Sequence, residues 1–486
     1  MGALKPFFKD TFVYGVAAVL PRVINFLLVK VHSDALPAQT YAENTNFYVW
    51  AALAAVLVTI GFETAFFRFY QTEKKKDNLM TTAFWSIVAT TALFVLITLA
   101  FFDFFLAQLD FGGDPIQMKL FIGILALDSL AVIPFAYLRV ANKAKRYTAI
   151  KLINVGVIVL VNLLFLKYIP ALLEEGNPLP TLLGHLFQST ELVNFIFVAN
   201  VLGSAVSLCL LLPFLGNLKG DFDWSLCKKM LAYSWPIAIA GIAYVINENL
   251  DKLLIGTLMD KYAMGVYSAC YKLAIFMNLY IMAFRLGAEP FFFNHANQKE
   301  APKTYANILH YFVIVGSLVL VGIVVFIDLL KQLFINEDYW EAIVIVPVVL
   351  LANLFLGVYH NLAVWYKLTD KTRYAMLFSL VGAGITIVTN LILIPKIGYM
   401  GAAWATLAAY GTMMVLSYCI GKKHYPVPYT IRKSGKYLLM AVLISYTSFY
   451  QFRENYFFSV VLLILFGGAI YWNEKTALNK IMQSKE

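Results

Sequence analysis

About fourteen runs of roughly twenty mostly apolar residues follow one another along this chain, and no other feature narrows its possible folds as far. They fall near residues 10–31, 46–70, 82–106, 117–140, 148–169, 191–215, 229–256, 264–292, 305–330, 341–366, 373–395, 400–421, 435–451 and 456–473. A run of that length, wound as a helix, crosses the hydrocarbon of a bilayer. The runs are continuous and do not alternate in hydrophobicity, so a β-barrel is excluded. Charged residues make up 14% of the 486 positions, against about 25% in a soluble domain. The expected class is an all-α integral membrane protein with about 14 transmembrane helices.

The connections between runs test the count. With the N-terminus placed in the cytoplasm, about 26 of the 38 Lys and Arg fall in cytoplasmic segments. These include "EKKKD" (73–77), "NKAKR" (142–146), "KLTDKTR" (367–373), "GKKH" (421–424) and "RKSGK" (432–436). The opposite connections carry acids instead, such as Asp34, Glu43, Asp110, Asp114 and Glu337. Lys and Arg in short loops mark the cytoplasmic side, and an odd miscount would invert every later loop. The expectation is a multi-pass membrane protein with both termini cytoplasmic. The net charge of +10 is then a matter of membrane orientation and does not point to nucleic acid. The start "MGALKPFFKDTF" has no pattern of a cleaved signal peptide, so the first run is read as a retained span.

Two segments resemble each other: "NKAKRYTAIKLINVGVIVLVNLLFLKYIP" (142–170) and "DKTRYAMLFSLVGAGITIVTNLILIPKIG" (370–398). Each has a basic step, Arg-Tyr, an apolar helix with a late Asn (Asn162, Asn390), then Lys and Pro. They lie six spans apart and start on the same side, the mark of a parallel repeat. The expected organisation is an N-terminal lobe over 1–218 (spans 1–6) and a pseudo-symmetric lobe over 219–430 (spans 7–12). Residues 431–486 supply two extra helices and a cytoplasmic tail.

Charges inside spans are few and costly, roughly 2.5–3.5 kcal/mol each at the bilayer centre. The basic ones are Arg22, Lys30, Arg68, Lys252, Lys272 and Arg285; the acidic ones are Glu63, Asp128, Glu248, Asp251 and Glu289. Arg22 lies about 18 Å along its span, follows Pro21 and has no acid within one helical turn. Its partner must come from another helix or from a ligand. Asp128, similarly deep, is the natural acid for it. Lys30 and Arg68 sit near span ends, where long side chains snorkel to the headgroups. Glu248 with Lys252, and Arg285 with Glu289, have the i,i+4 spacing of helix pairs. Glu248 and Asp251 share a helix face near the outer end of span 7 and are expected to line a cavity mouth. Pro21, Pro134, Pro236 and Pro347 are hinge candidates. Tyr244, Tyr267, Tyr271 and Tyr280 read as packing residues that could also stack on sugars.

Several chemistries are absent from the sequence. There is no G-x-x-x-x-G-K-[ST] and no H-E-x-x-H, and the six His are dispersed. Cys209, Cys227, Cys270 and Cys419 show no ligand or disulfide spacing. No catalytic residue and no metal site is expected.

Taken with the two lobes, "GFETAFFRFY" (61–70), "AYSWPIAIAGIAYVINENLDKLLI" (232–255) and "GVYSACYKLAIFMNLYIMAFRLGAEPFF" (265–292) resemble the bacterial polysaccharide-biosynthesis flippases. These are lipid-linked oligosaccharide flippases (O-antigen or capsule type) of the multidrug/oligosaccharidyl-lipid/polysaccharide (MOP) superfamily. The resemblance implies a MATE-like fold and a transporter, not an enzyme, working by alternating access. Its substrate would be an undecaprenyl-pyrophosphate-linked oligosaccharide, a polysaccharide repeat unit. Its partners would be that substrate, membrane lipids and the polysaccharide assembly machinery, with no nucleic acid. It implies no cofactor and an H⁺ or Na⁺ gradient as energy source. By position, Arg22, Arg285 and Lys272 match cavity cations that hold the substrate head group. Asp128, Glu248, Asp251, Glu63 and Glu289 are the candidates for ion coupling or gating. A lipid II-type flippase and a multidrug/cation antiporter of the same superfamily are the alternatives. A membrane-embedded glycan polymerase or ligase would be expected to carry a large outer catalytic loop, and the longest outer connection is only the segment 171–190.

Overall fold

The computed structural model describes the chain apart from residues 1–3, 177–179, 181–183, 185, 186, 188, 189, 217, 296, 297, 299, 370, 372, 454 and 484–486. Side chains of residues 4–18, 286, 289, 290, 293–295 and 476–483 are also outside that description. The described residues are helical, with no strand among them. Packing divides the chain into two compact units, Met1–Ser268 and Ala269–Glu486.

The first unit holds α1 (Leu4–Ala35), α2 (Ala38–Thr59), α3 (Phe62–Thr72), α4 (Lys76–Ala100), α5 (Pro115–Val140), α6 (Ala144–Leu163), α7 (Leu192–Leu215), α8 (Trp224–Leu258) and most of α9 (Lys261–Tyr271). The second holds α10 (Ile275–His295), α11 (Ala301–Val325), α12 (Val346–Leu362), α13 (Arg373–Ile397), α14 (Tyr399–His424), α15 (Ile431–Tyr450) and α16 (Tyr456–Gln483). Among the described residues, 12 helical stretches are long and apolar enough to cross a membrane. Each coincides with a run read from the sequence. The remaining two runs are helical as well, as α1 and α15, but stand outside the 12. For α15 the reason is its opening "IRKSGK", which dilutes an otherwise apolar helix with three cations. The chain is a multi-pass helical membrane protein.

The core of the first unit is aromatic. Phe47 of α2 stacks on Phe197 of α7 at 3.8 Å between ring centres, with Phe111 and Phe121 packed around them. In the second unit Trp365, Tyr366, Phe378 and Tyr410 are buried together. Many of the chain's aromatic residues therefore fill helix interfaces rather than the headgroup belt.

Span 2 is not one straight helix. Ile60 and Gly61 adopt left-handed backbone, φ 45° and 68°, and break it into α2 and α3. A Cβ on Gly61 would lie 3.1 Å from the Ser234 carbonyl oxygen of α8, so the break lets two backbones meet. Glycine is the residue that adopts this φ without strain. The two repeat segments share a local device. Asn162 and Asn390 are both fully buried, and each donates to the carbonyl four residues back, Ile158 at 2.8 Å and Thr386 at 2.7 Å. After Asn162 the helix widens into a π-turn over Leu164–Tyr168, which the second copy does not have.

One expectation changes. Pro347 is not inside a helix: it opens α12 in its first turn, after a 3₁₀ stretch over Glu337–Ile345, where a missing N–H costs nothing. Pro21, Pro134 and Pro236 do lie inside helices. The compact units part at Ser268, and α8 packs within the first.

The tightest approach inside the first unit is at Gly265. A Cβ there would fall 1.9 Å from the Ala38 carbonyl oxygen, with backbone rather than a movable side chain in the way. Gly265→Ala is therefore expected to lower the unfolding midpoint in detergent by several degrees, while Gly287→Ala, where nothing lies near the added atom, leaves it within error. A thermal scan of the two purified variants checks this.

Candidate functional site

The candidate cations are distributed between the units. Arg22 lies on α1 directly after Pro21 and is exposed. Lys272 sits at a 3₁₀ step, Lys272–Ala274, between α9 and α10, and is half-buried. Arg285 is half-buried on α10. An arginine on the exposed side of a membrane helix faces lipid or water, and the insertion cost favours a water-lined path. Glu289, its i+4 neighbour, has its side chain outside the described residues.

The acids divide by environment. Glu63 opens α3 and pairs with Arg139 of α5 at 3.1 Å, both half-exposed. Asp128 of α5 accepts a hydrogen bond from Ser204 of α7, and Lys151 of α6 is near enough to attract it. Among the described residues the cation facing Asp128 is thus Lys151, where the sequence suggested Arg22. Lys151 stands outside the in-span cations named from the sequence, and only helix packing brings it near Asp128. Lys30 pairs with Asp34 at 2.7 Å one turn on. Arg68 lies over the ring of Tyr233 at 4.7 Å.

The "NENLDK" stretch of α8 differs from its expectation. Asp251 is 1% exposed and Lys252 7% exposed, so neither lines an open mouth. The Lys252 ammonium donates to an Asp251 carboxylate oxygen at 3.1 Å and to the Glu248 carbonyl oxygen at 2.7 Å. The other Asp251 oxygen accepts from the Tyr267 hydroxyl of α9 at 2.6 Å. The i,i+4 reach of Lys252 is realised on the backbone of Glu248, and the carboxylate it bonds is Asp251. This is a buried, hydrogen-bonded ion pair that fixes α9 against α8. Glu248 is half-buried on the same helix. Of the four tyrosines, Tyr244 is exposed, Tyr267 and Tyr271 are buried, and Tyr280 donates to the Phe312 carbonyl oxygen at 2.8 Å.

Sequence reasoning missed two charged clusters in the second unit. Glu474, 2% exposed on α16, accepts from Lys433 at 2.7 Å and from the Tyr437 hydroxyl at 2.6 Å, both on α15. His310 of α11 approaches it at 3.4 Å and bonds Ser434 through its other ring nitrogen at 2.8 Å. Glu474 was counted with the tail because it ends the last apolar run; being the lone acid in that helix was the available signal. The second cluster joins Asp328 to Lys331 and to Arg453 at 3.2 Å, beyond the end of α11. Burial alone would raise the Asp328 carboxyl, but hydrogen bonds from Lys331 and Arg453 outweigh it and hold the group below the ordinary carboxylate range. The four cysteines are unpaired. Among the described residues, no three His, Cys, Asp or Glu gather as a metal site would require.

Against known proteins, residues 192–284 match a family model described as polysaccharide biosynthesis protein. The whole chain superposes on lipid II flippase MurJ in an inward closed conformation, with TM-score 0.70 and 14% identity over 96% of this chain and 99% of that one. The chain shares the fold of that flippase. An inward-facing multidrug resistance MATE family transporter of the MOP superfamily matches with TM-score 0.64 and 10% identity, over 83% of this chain and 94% of the other. Its outward-facing counterpart matches at 0.62 and 11%, over 86% and 95%. No curated protein matches by sequence. The fold thus holds while identity has fallen to a level where residue roles do not transfer.

Two outcomes are expected. Asp251→Asn removes the carboxylate bonded to a buried ammonium, a loss of about 3–5 kcal/mol, while Tyr267→Phe costs about 1.5–3 kcal/mol as one hydrogen bond to a charged group; chemical denaturation in detergent ranks them. For Asp328, whose folded pKa is depressed, the contribution is present above the unfolded value near 4 and is lost as pH falls through the folded value. The wild-type unfolding midpoint should drop on acidification below about pH 4, and Asp328→Asn should flatten part of that drop, read by melting curves across pH.

Proposed function

We propose that this protein is a flippase carrying an undecaprenyl-pyrophosphate-linked oligosaccharide, a polysaccharide repeat unit, across the bacterial inner membrane by alternating access. The single observation that supports this most is Arg22: a permanently charged side chain, deep in a membrane helix, exposed and next to a proline. A pyrophosphate leaving water needs fixed cations, and the guanidinium fork matches phosphate oxygens with paired donors. In this reading Arg22 is the head-group cation of the first unit, and Lys272 and Arg285 are the candidate cations of the second, each unit taken by itself. The match of 192–284 to a polysaccharide biosynthesis model supports the glycan class. The protein acts as a carrier and not an enzyme, with both termini in the cytoplasm.

Coupling to H⁺ or Na⁺ would fall to Asp128, bonded to Ser204, or to Glu63 in its pair with Arg139, both within the first unit. A lipid II-type substrate is the second reading, favoured by a superposition that covers nearly all of both chains. A cation antiporter is less well supported, because the charges at depth include three exposed or half-buried cations.

The test is export of lipid-linked glycan. In cells depleted of the protein, undecaprenyl-linked repeat units should accumulate on the cytoplasmic leaflet while lipid II remains accessible outside; accumulation of lipid II instead selects the second reading. Arg22→Ala should reduce glycan display at least tenfold at unchanged protein level, with Arg22→Lys retaining part of it. Unchanged display in Arg22→Ala would remove the head-group role.

A further inference from the structure

A small, open recess of about 90 Å³ lies in the first unit, where α2 begins and α8 ends. Glu43, Asn46 and Trp50 of α2, Asp110 before α5, Thr257 of α8 and Lys261 of α9 line it. Its polar groups are held in place from outside. Gln117, fully buried on α5, donates to one Glu43 oxygen at 3.0 Å. Asp110 pairs with Lys261 at 2.8 Å. The Asn46 amide nitrogen is spent on the carbonyls of Leu109 and Asp110, the latter at 3.0 Å. The Thr257 hydroxyl is spent on the carbonyls of Leu253 at 3.1 Å and Leu254 at 3.2 Å.

What these bonds leave over decides the ligand. The donors of Asn46 and Thr257 are used up, so each has only acceptor capacity left. Glu43 and Asp110 are acceptors by nature. The remaining donors are the Lys261 ammonium beside the Asp110 carboxylate, the Gln108 amide and the Trp50 indole N–H. The recess therefore suits a ligand whose groups both donate and accept, as sugar hydroxyls do. With two carboxylates and one ammonium it carries one excess negative charge, which repels an anion. Trp50, half-buried, supplies a flat apolar wall of the kind that packs on the C–H face of a pyranose ring. A hydrated metal ion also seeks acceptors, but here a fixed ammonium already sits among them.

We propose that this recess is a subsite for an uncharged sugar residue, a hexose or N-acetylhexosamine, and that it rejects uronic acids. On the flippase reading, on which this inference rests, it receives a sugar of the glycan on the outer side of the membrane. The adjacent acceptor and donor of Asp110 and Lys261 match a pair of vicinal hydroxyls, and Glu43 accepts from a third.

The test is saturation-transfer NMR on the full-length protein in nanodiscs, with N,N′-diacetylchitobiose, maltose and glucuronate as probes. Transfer to at least one neutral disaccharide and none to glucuronate is expected. Glu43→Gln, isosteric but less able to accept, and Thr257→Val, on an exposed helix position, should each weaken the neutral-sugar signal at least fivefold. Equal signals in both variants, no signal from either neutral probe, or equal transfer to glucuronate would overturn the subsite. Loss of sugar binding on adding calcium or sodium chloride at constant ionic strength would reassign the recess to a cation. Sugar binding without any lipid-linked glycan export would defeat the flippase reading alone, and export with a recess indifferent to sugar would defeat this inference alone.

Discussion

Hydrocarbon offers a polypeptide no hydrogen-bond partners, and every other feature of this protein follows from that. Backbone groups must bond within their own helix. Side-chain charges must find a partner, a water path or the interface. The helical architecture answers the first demand. The second explains why the charges deep in the chain are so few and why most of them prove to be bonded to something specific.

The ways in which charge is settled separate structure from function. Asp251 with Lys252 and Tyr267, and Glu474 with Lys433, Tyr437 and His310, are buried and saturated with donors. Such groups are costly to break and have little capacity left for a ligand. They hold helices together: α8 to α9 in one case, α11, α15 and α16 in the other. Arg22 and Asp128 differ in burial, both being exposed along membrane helices. The recess is intermediate, with groups half spent on the protein and half available. Availability, more than charge alone, separates the groups suited to bind from those that only fix the fold.

Local spacing was a fair guide where partners lie one turn apart and a poor one elsewhere. Lys30 and Asp34 pair as i,i+4 reasoning requires. Lys252 has the same spacing to Glu248, yet its ammonium bonds the Glu248 carbonyl and the neighbouring Asp251 carboxylate, because Tyr267 arrives from the next helix to orient that acid. Asp128 meets Lys151 and Ser204, and Glu63 meets Arg139, across distances in sequence that no periodicity reveals. Glu474 was read as part of a tail because the chain becomes polar directly after it, although three helices close around it.

The sequence by itself determined the class and the positions of the helices. Those properties are local: apolar length sets a span. Even the breakpoint at Gly61 and the late asparagines of the repeat were visible as residues, if not as geometry. Only the tertiary structure decided which charges are buried against which partners, that α8 packs with the first unit, and that Trp50, Glu43, Asp110 and Lys261 share one recess. Those facts depend on which helix faces lie against each other, and helix packing is set by side-chain shape summed over many contacts rather than by any residue read alone.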